Sequence, residues 1–249
     1  FPGIESPDIE HGMHNKEKFR AIAEKLNLPI PETQNHNSKS LDYPVIIKPV
    51  DSFSGRGITV IKNHNKRLLD SAIKLARENS ATEEYLLEKF VSGELYSHSA
   101  FLKNKRAIKN FFVKEDSTVN SFVVDTSRVI FSPPPEMQKQ IINAVEKLAR
   151  YLRLKDGLIH SQFIWDGCNI HLIDRNRRIA GDLYSQLIEL STGHPYVENY
   201  VRPFLDMPYK NIEDSDTRIP IMRHTVSVSK EQNFNHISFK ESLNLENWV

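Results

Sequence analysis

The sequence predicts an α+β protein built as two lobes with mainly antiparallel sheets. Three observations carry this. Four strand candidates, at residues 85–91, 95–102, 106–114 and 121–130, follow one another with little helical period between them, which favours antiparallel pairing. Segments with apolar residues at helical spacing stand between groups of strands instead of alternating with single strands. A chain of 249 residues is long enough for one large core or two small ones.

In residues 15–26, Phe19, Ile22, Ala23 and Leu26 fall at i, i+3, i+4 and i+7, the spacing of one buried helix face. The run Leu28-Pro29-Ile30-Pro31 ends that helix, because a residue before proline is pushed out of the α region. Residues 34–39 are polar and predict a loop. Residues 44–50 and 58–62 are short β-branched runs separated by Asp51-Ser52-Phe53-Ser54-Gly55-Arg56-Gly57, which predicts strand, flexible loop, strand. Residues 66–79 return to helical spacing through Leu69, Ala72, Ile73 and Ala76. After Pro133-Pro134-Pro135, the residues Met137, Ile141, Val145, Leu148 and Leu152 mark a helix of about five turns. Residues 157–165 and 169–174 predict two strands joined around Asp166-Gly167, a hairpin signal. Residues 183–191 and 197–205 predict helices, and 226–228 a late strand.

Lys and Arg number 33 against 32 Asp and Glu, so whole-molecule steering toward nucleic acid or an acidic membrane is not expected, and any anion must be held locally. A single cysteine, Cys168, excludes an intramolecular disulfide and a cysteine-based zinc cluster, and a reducing, cytoplasmic location is the default expectation. No run of eighteen apolar residues predicts a spanning helix. The chain starts at Phe1, which leads us to expect sequence upstream. The phosphate loop of Walker NTPases is absent, and Gly55-Arg56-Gly57 is followed by Val60 where a dinucleotide fingerprint needs glycine or alanine. No Gly-x-Ser-x-Gly elbow and no His-Glu-x-x-His helix occurs. His11 and His14 share an i, i+3 spacing in a polar stretch, a weak metal signal.

Three constellations remain. Ile47-Lys48-Pro49 puts a lysine at the end of a buried strand, costly unless an anion or carboxylate meets it, and the Ser/Gly loop that follows offers hydroxyls and backbone N–H groups suited to a polyphosphate. A mobile turn with a solvated lysine is the plainer reading. Residues 87–94, Leu-Glu-Lys-Phe-Val-Ser-Gly-Glu, form an edge that can present backbone groups to an adenine ring, or an ordinary amphipathic edge strand. The third is the hairpin of residues 157–182, where oxygens of Gln162, Asp174 and Asn176 suit a hard cation such as magnesium. A two-residue Asp-Gly turn would pair Trp165 with Cys168 and send Gln162 and Asp174 to opposite faces. A three-residue loop with one bulge brings His160, Gln162, Asp174 and Asn176 together and places Ile159, Phe163, His171 and Ile173 on the other face. We expect the bulged register, with His160 held by hydrogen bonds within the sheet in preference to a base.

In this order the segments resemble the ATP-grasp superfamily of carboxylate ligases, over the stretch from Ile4 to about Leu205. The resemblance rests on Asn15-Lys16 with Arg20, Val45-Ile46-Ile47-Lys48-Pro49, the Ser/Gly loop, Glu88-Lys89-Phe90-Val91, and Asp174-Arg175-Asn176-Arg177-Arg178 followed by Ala180-Gly181-Asp182. It implies an ATP-grasp fold, two α+β subdomains gripping ATP. It further implies that Lys16 and Lys48 contact phosphates or adenine, that the loop of Ser54, Gly55 and Gly57 closes over the phosphates, and that Glu88, Lys89 and Val91 line the adenine edge. Glu94 would be the ribose-binding glutamate, unless Leu95 holds that place.

Members carry an acid or glutamine, then an acid twelve residues on, then asparagine, as magnesium ligands; Gln162, Asp174 and Asn176 keep that spacing. Glutamine first resembles carbamoyl-phosphate synthetase-like members, and Asp174 replaces the usual glutamate. Arg178 is then expected to stabilise charge on the transferred phosphoryl group or the tetrahedral intermediate, and Gly181 and Asp182 to contact substrate or phosphate. The implied organisation is a linker and leading helix at 1–40, a small lid at 41–92, and a metal-bearing subdomain at 93–249. Members usually carry a further α/β domain ahead of this point, so a separate N-terminal domain or a homodimer is an expected partner. The implied activity is an ATP- and Mg²⁺-dependent ligase joining a small-molecule carboxylate to an amine. A non-catalytic ATP-binding module and a phosphotransferase stopping at a phosphorylated product stay open.

Overall fold

Side-chain caps fix where the first helices start. In the computed structural model, which describes residues 1–38, 40–181, 183–213, 216–226 and 233, Ser6 accepts from Ile9 N to open α1 (Pro7–His14). Asn15 accepts from Lys18 N at 3.0 Å to open α2 (Lys16–Lys25). Helix α1 was not expected from the sequence: Met13 is its one buried residue, too little apolar signal for a periodic reading. His11 and His14 lie on it, and among the described residues no three His, Cys, Asp or Glu side chains gather to hold a metal.

Strands β1 (Val45–Pro49), β2 (Thr59–Ile61) and β3 (Tyr85–Lys89) form an antiparallel sheet in the order β2-β1-β3. Helix α3 (Lys66–Glu78) covers it, packing Leu69, Ala72 and Ala76 onto Val45, Ile47, Ile61 and Leu87. A six-stranded antiparallel sheet follows, built from β4 (Glu94–Lys103), β5 (Arg106–Asp116), β6 (Thr126–Val129), β7 (Gly157–Trp165), β8 (Ile170–Asn176) and β9 (Met222–His224), in the order β8-β7-β4-β5-β6-β9. One face lies under α1, α2 and α4 (Pro135–Tyr151), where Met13, Phe19, Ile141 and Leu148 meet Ile159, Phe163, Ile170 and Leu172. On the other face α5 (Tyr184–Thr192) and α6 (Tyr196–Val201) cover Phe101, Phe111, Val113 and Leu158. Among the described residues no helix is long and apolar enough to cross a membrane.

Several elements differ from the sequence reading. Strand β6 is shorter than residues 121–130, because Asp125 Oδ2 takes the N–H groups of Thr118 and Val119 and holds the preceding residues as a loop. The helix expected at 197–205 is α helical only to Val201 and ends as a 3₁₀ turn, Arg202–Leu205, since Pro203 has no N–H to continue the ladder. The late strand lies at Met222–His224; Val226 is outside it, and residues 227 and 228 lie outside the described residues.

The β7–β8 hairpin decides the site. Gln162 pairs with Asp174 and His160 with Asn176, with a bulge at Ile173, so all four share a face as the bulged register requires. The connecting loop has four residues instead of three: Trp165 pairs with Ile170, and Asp166 Oδ1 holds the turn by accepting from Cys168 N and Asn169 N at 2.8 and 2.7 Å. That extra residue changes the parity before the bulge, so Ile170 and Leu172, not His171 and Ile173, join Ile159 and Phe163 in the core.

The bulge also turns Arg175 inward. Its guanidinium lies over the Phe19 ring, 1% exposed, and none of its three nitrogens has a hydrogen-bond partner among the described residues. Burial drives its pKa far down, with Asp174 opposing. A desolvated cation without a hydrogen-bonded partner is unfavourable by several kcal/mol, which a cation–π contact of about 2 kcal/mol offsets only in part. Arg175→Met should therefore raise stability by about 1–4 kcal/mol, read as a higher thermal midpoint; a lower midpoint would contradict this account.

Burial lowers His98, His160 and His194 to about 4, below the ordinary histidine value. Between their folded values and about 6.5 the unfolded chain binds more protons than the folded one, so their contribution is complete above about 6.5 and is lost as pH falls toward 4. A thermal midpoint that drops over that window, with a shallower drop in His98→Gln, is the expected result.

Candidate active site

Glu88 has no exposed surface and sits between two cations: Arg20 Nε donates to its Oε1, and Lys48 Nζ lies 2.5 Å from its Oε2. Register explains the meeting, since Glu88 faces Ile46 and Lys48 faces Leu86 on the same side of the β1–β3 pair. Burial pushes the Glu88 carboxyl up, but Lys48 and Arg20 outweigh it and hold the group below the usual range. Lys48 is lowered by burial, with Glu88 opposing. Arg20 keeps Nη1 and Nη2 without a hydrogen-bond partner among the described residues. Glu88 is thus enclosed by the two cations and does not lie on an open edge.

Lys16 begins the same helix face one turn earlier. Its Nζ donates to the Ser52 carbonyl at 2.9 Å, and its backbone N–H to that of Val50 at 3.2 Å, which ties α2 to the loop after β1. Burial lowers the Lys16 pKa and Asp174 raises it, so this ammonium stands within electrostatic range of the β8 oxygens. The loop itself turns through left-handed backbone at Ser54, Gly55 and Gly57, with φ of 53°, 71° and 71°. A Cβ on Gly55 would lie 2.7 Å from the Phe122 carbonyl oxygen, so the loop rests directly on the segment between β5 and β6.

Register places Gln162, Asp174 and Asn176 on the same side of the β7–β8 pair, each half-buried. Asp174 Oδ1 accepts from Arg175 N at 2.8 Å, and Asn176 Oδ1 from Arg178 N at 3.2 Å. One carboxylate and two amides form a hard-oxygen set that fits a magnesium ion whose remaining positions go to water and phosphate. His160 Nδ1 lies 2.9 Å from Ser99 Oγ on the neighbouring strand, as expected of a histidine held within the sheet. Arg178 is exposed beside this set, its Nη1 donating to the Ile179 carbonyl.

Lys89 turns outward onto Asp42, and its backbone N–H is taken by the Glu32 carbonyl at 2.9 Å. Val91 is half-buried just beyond β3. Glu94 is exposed, accepting from Tyr96 OH at 2.8 Å and paired with Lys114, on the face of the sheet away from Gln162. Gly181 is exposed with open space beside it, and Asp182 lies outside the described residues.

Sequence reasoning missed Glu115. It is 3% exposed on β5, accepts from Ser97 Oγ, from Tyr184 OH and from Gln162 Nε2, the last at 2.7 Å, and burial raises its pKa against these three donors. An acid in phase with Phe111 and Val113, the two apolar residues of its strand face, was the available signal.

The ATP-grasp domain model matches residues 41–186, more than half of the chain. The carbamoyl phosphate synthase large chain of Clostridium acetobutylicum is 24% identical over 194 residues, covering 74% of this chain and 18% of that protein. The chain therefore spans about a fifth of that relative's length. Among solved structures, an L-amino acid ligase from Bacillus licheniformis superposes with a TM-score of 0.72 at 16% identity, covering 94% of this chain and 58% of the other. The biotin carboxylase domain dimer of the Hydrogenobacter thermophilus 2-oxoglutarate carboxylase, crystallised with MgADP and bicarbonate, gives 0.64 at 19% identity over 83% of this chain and 48% of the other. With the order of segments, the two sheets and the domain match in agreement, this chain belongs to the ATP-grasp family.

Proposed function

We propose that this chain is the ATP-binding and phosphoryl-transfer core of a ligase that activates a small-molecule carboxylate and joins it to an amine. One observation carries the reading: Lys16 reaches Ser52 in the phosphate-loop candidate while standing in the field of Asp174, so phosphate-binding and cation-binding groups meet at one place between the two sheets. In this reading residues 41–92 act as a lid and residues from 93 onward carry the cation site. Lys16, Lys48 and the free guanidinium nitrogens of Arg20 supply positive charge to a polyphosphate. The Ser54–Gly57 turn covers it and excludes water.

Gln162, Asp174 and Asn176 would hold magnesium, which would supply positive charge to offset that of the phosphates. A carboxylate oxygen of the substrate attacks the γ-phosphorus, the bond to the β,γ-bridging oxygen breaks, and ADP leaves with an acyl phosphate formed. The amine then attacks the acyl carbon, loses a proton and expels phosphate. Arg178 stands where it can stabilise the charge on the transferred group, and the protein's contribution is placement and electrostatics.

A second reading, a nucleotide-binding module without turnover, is favoured by the single carboxylate in the oxygen set. Incubation with ATP, magnesium and a panel of carboxylic acids and amines, with ADP release followed and acyl phosphate trapped by hydroxylamine, separates the two. Carboxylate-dependent ADP with a hydroxamate supports the ligase; ADP without a hydroxamate indicates a phosphotransferase, and no ADP with any substrate indicates the module. Arg178→Ala should lower turnover by about 100- to 1,000-fold, the loss seen for one preorganised charge-stabilising donor. A rate within about threefold of the parent would remove that role from Arg178.

A further inference from the structure

Glu115 is an acid that neither the cation set nor the phosphate-binding groups use, yet it reaches the cation set directly. It stands on β5 in phase with Phe111 and Val113, in the layer that α5 closes. Its two oxygens have different partners. Oε1 takes the hydroxyls of Ser97 on β4 and Tyr184 at the start of α5, and Oε2 takes Gln162 Nε2 at 2.7 Å. The first pair ties α5 to the sheet. The second reaches a residue of the proposed site.

An amide has a donating end and an accepting end, and a carboxylate has only acceptors. In the strand order β8-β7-β4-β5, Gln162 on β7 has Glu115 on one flank and Asp174, its cross-strand partner on β8, on the other. An NH₂ group committed to the β4–β5 side leaves the carbonyl oxygen for the β8 side. Without that commitment the two ends of the amide are nearly equal in shape, and half of the orientations would turn an NH₂ group toward Asp174 and Asn176, repelling a cation.

We propose that Glu115 is a positioning residue that sets the Gln162 amide so that Oε1, and not Nε2, faces Asp174 and Asn176. This rests on the reading of Gln162, Asp174 and Asn176 as a cation site, and the test distinguishes the two. A purely structural Glu115 would act through Oε1 alone, on Ser97 and Tyr184.

The substitution Glu115→Gln separates these roles. With its own oxygen kept on Ser97 and Tyr184, the new side chain presents NH₂ to Gln162 and forces that amide to flip. Binding of Mn²⁺ to the full chain with a non-hydrolysable ATP analogue, read from the free-ion electron paramagnetic resonance signal, should weaken by about 10- to 100-fold, the usual effect of losing an outer-shell partner. The exchange variant Glu115→Gln/Gln162→Glu restores the pairing, because the amide at 115 donates to one oxygen of the carboxylate at 162 and leaves the other for the cation. Its Mn²⁺ affinity should return to within about threefold of the parent and exceed what the single variants Glu115→Gln and Gln162→Glu add up to, the non-additivity of a direct interaction.

Should Glu115→Gln not fold, Glu115→Asp keeps the charge, shortens the reach to Gln162 and carries the same expected loss. Unchanged Mn²⁺ affinity in a folded Glu115 variant, or an exchange variant no better than Glu115→Gln alone, overturns the positioning role. Asp174→Asn is the control for the site: if it leaves Mn²⁺ binding unchanged, the site reading falls and the Glu115 role with it. If Asp174→Asn weakens binding while the Glu115 variants do not, only the Glu115 role falls.

Discussion

The two sheets are joined through a buried ion cluster, and the arrangement of everything near it follows from the cost of breaking that cluster. Glu88 on β3, Lys48 on β1 and Arg20 on α2 are each almost wholly out of water. Desolvation costs several kcal/mol per ion, and removing one partner from such a group is destabilising by about 3–5 kcal/mol because a charge is left uncompensated. A helix that belongs by its apolar face, Phe19 and Ala23, to the large sheet is thereby anchored by its charged face to the small one. Lys16, at i−4 from Arg20, extends the same charged face to Ser52 and toward Asp174. Lys16, Arg20 and Lys48 thus share one region with the Glu88 carboxylate, and Asp174 and Asp51 both lie within electrostatic range of Lys16.

The second face of the six-stranded sheet is divided along its strands. Toward one end, Phe101 and Leu158 are roofed by α5 and α6. Farther along, the same strands present Ser99, His160, Ser97, Gln162 and Glu115, a polar layer that Tyr184 at the start of α5 closes. Strands carry Gln162, Asp174 and Asn176, and a Ser- and Gly-rich segment resting on the Phe122 stretch carries the left-handed turns at Ser54, Gly55 and Gly57. In the proposed reading the strands would supply fixed charge and the Ser/Gly segment a cover, the two parts phosphoryl transfer requires.

Much of this was legible in the sequence, and the rest was hidden for physical reasons. Alternation and helical spacing located the two sheets and most helices, and the chemistry of Asp166-Gly167 together with the spacing of Gln162, Asp174 and Asn176 led to a bulged hairpin. The core-face partners in β8 were misassigned because one extra loop residue, held by Asp166, inverts a period of two. Helix α1 was invisible because its stability comes from a cap and a single buried methionine instead of an apolar stripe. Glu115 and Arg175 were unreadable as site or core residues because burial of a charged side chain is a tertiary event: the bulge turns Arg175 inward, and Ser97, Tyr184 and Gln162, distant in sequence, meet Glu115. For Lys89 and Glu94 local sequence suggested an edge, while Asp42 and Lys114 draw both side chains to the surface.

The edges of the large sheet bear on how the protein behaves in concentrated solution. A free strand edge is a template for another chain, and long apolar edges promote self-association. Here β8 is flanked by α1, and the N–H of Leu172 is already spent on the carbonyl of Pro29 at 2.8 Å. At the far side, among the described residues, the last strand is β9, three residues long, following Pro220 and carrying Arg223 and His224. Among the described residues neither edge offers a long, flat, uncharged run of backbone, an arrangement that works against edge-to-edge pairing of strands that carry many aromatic residues.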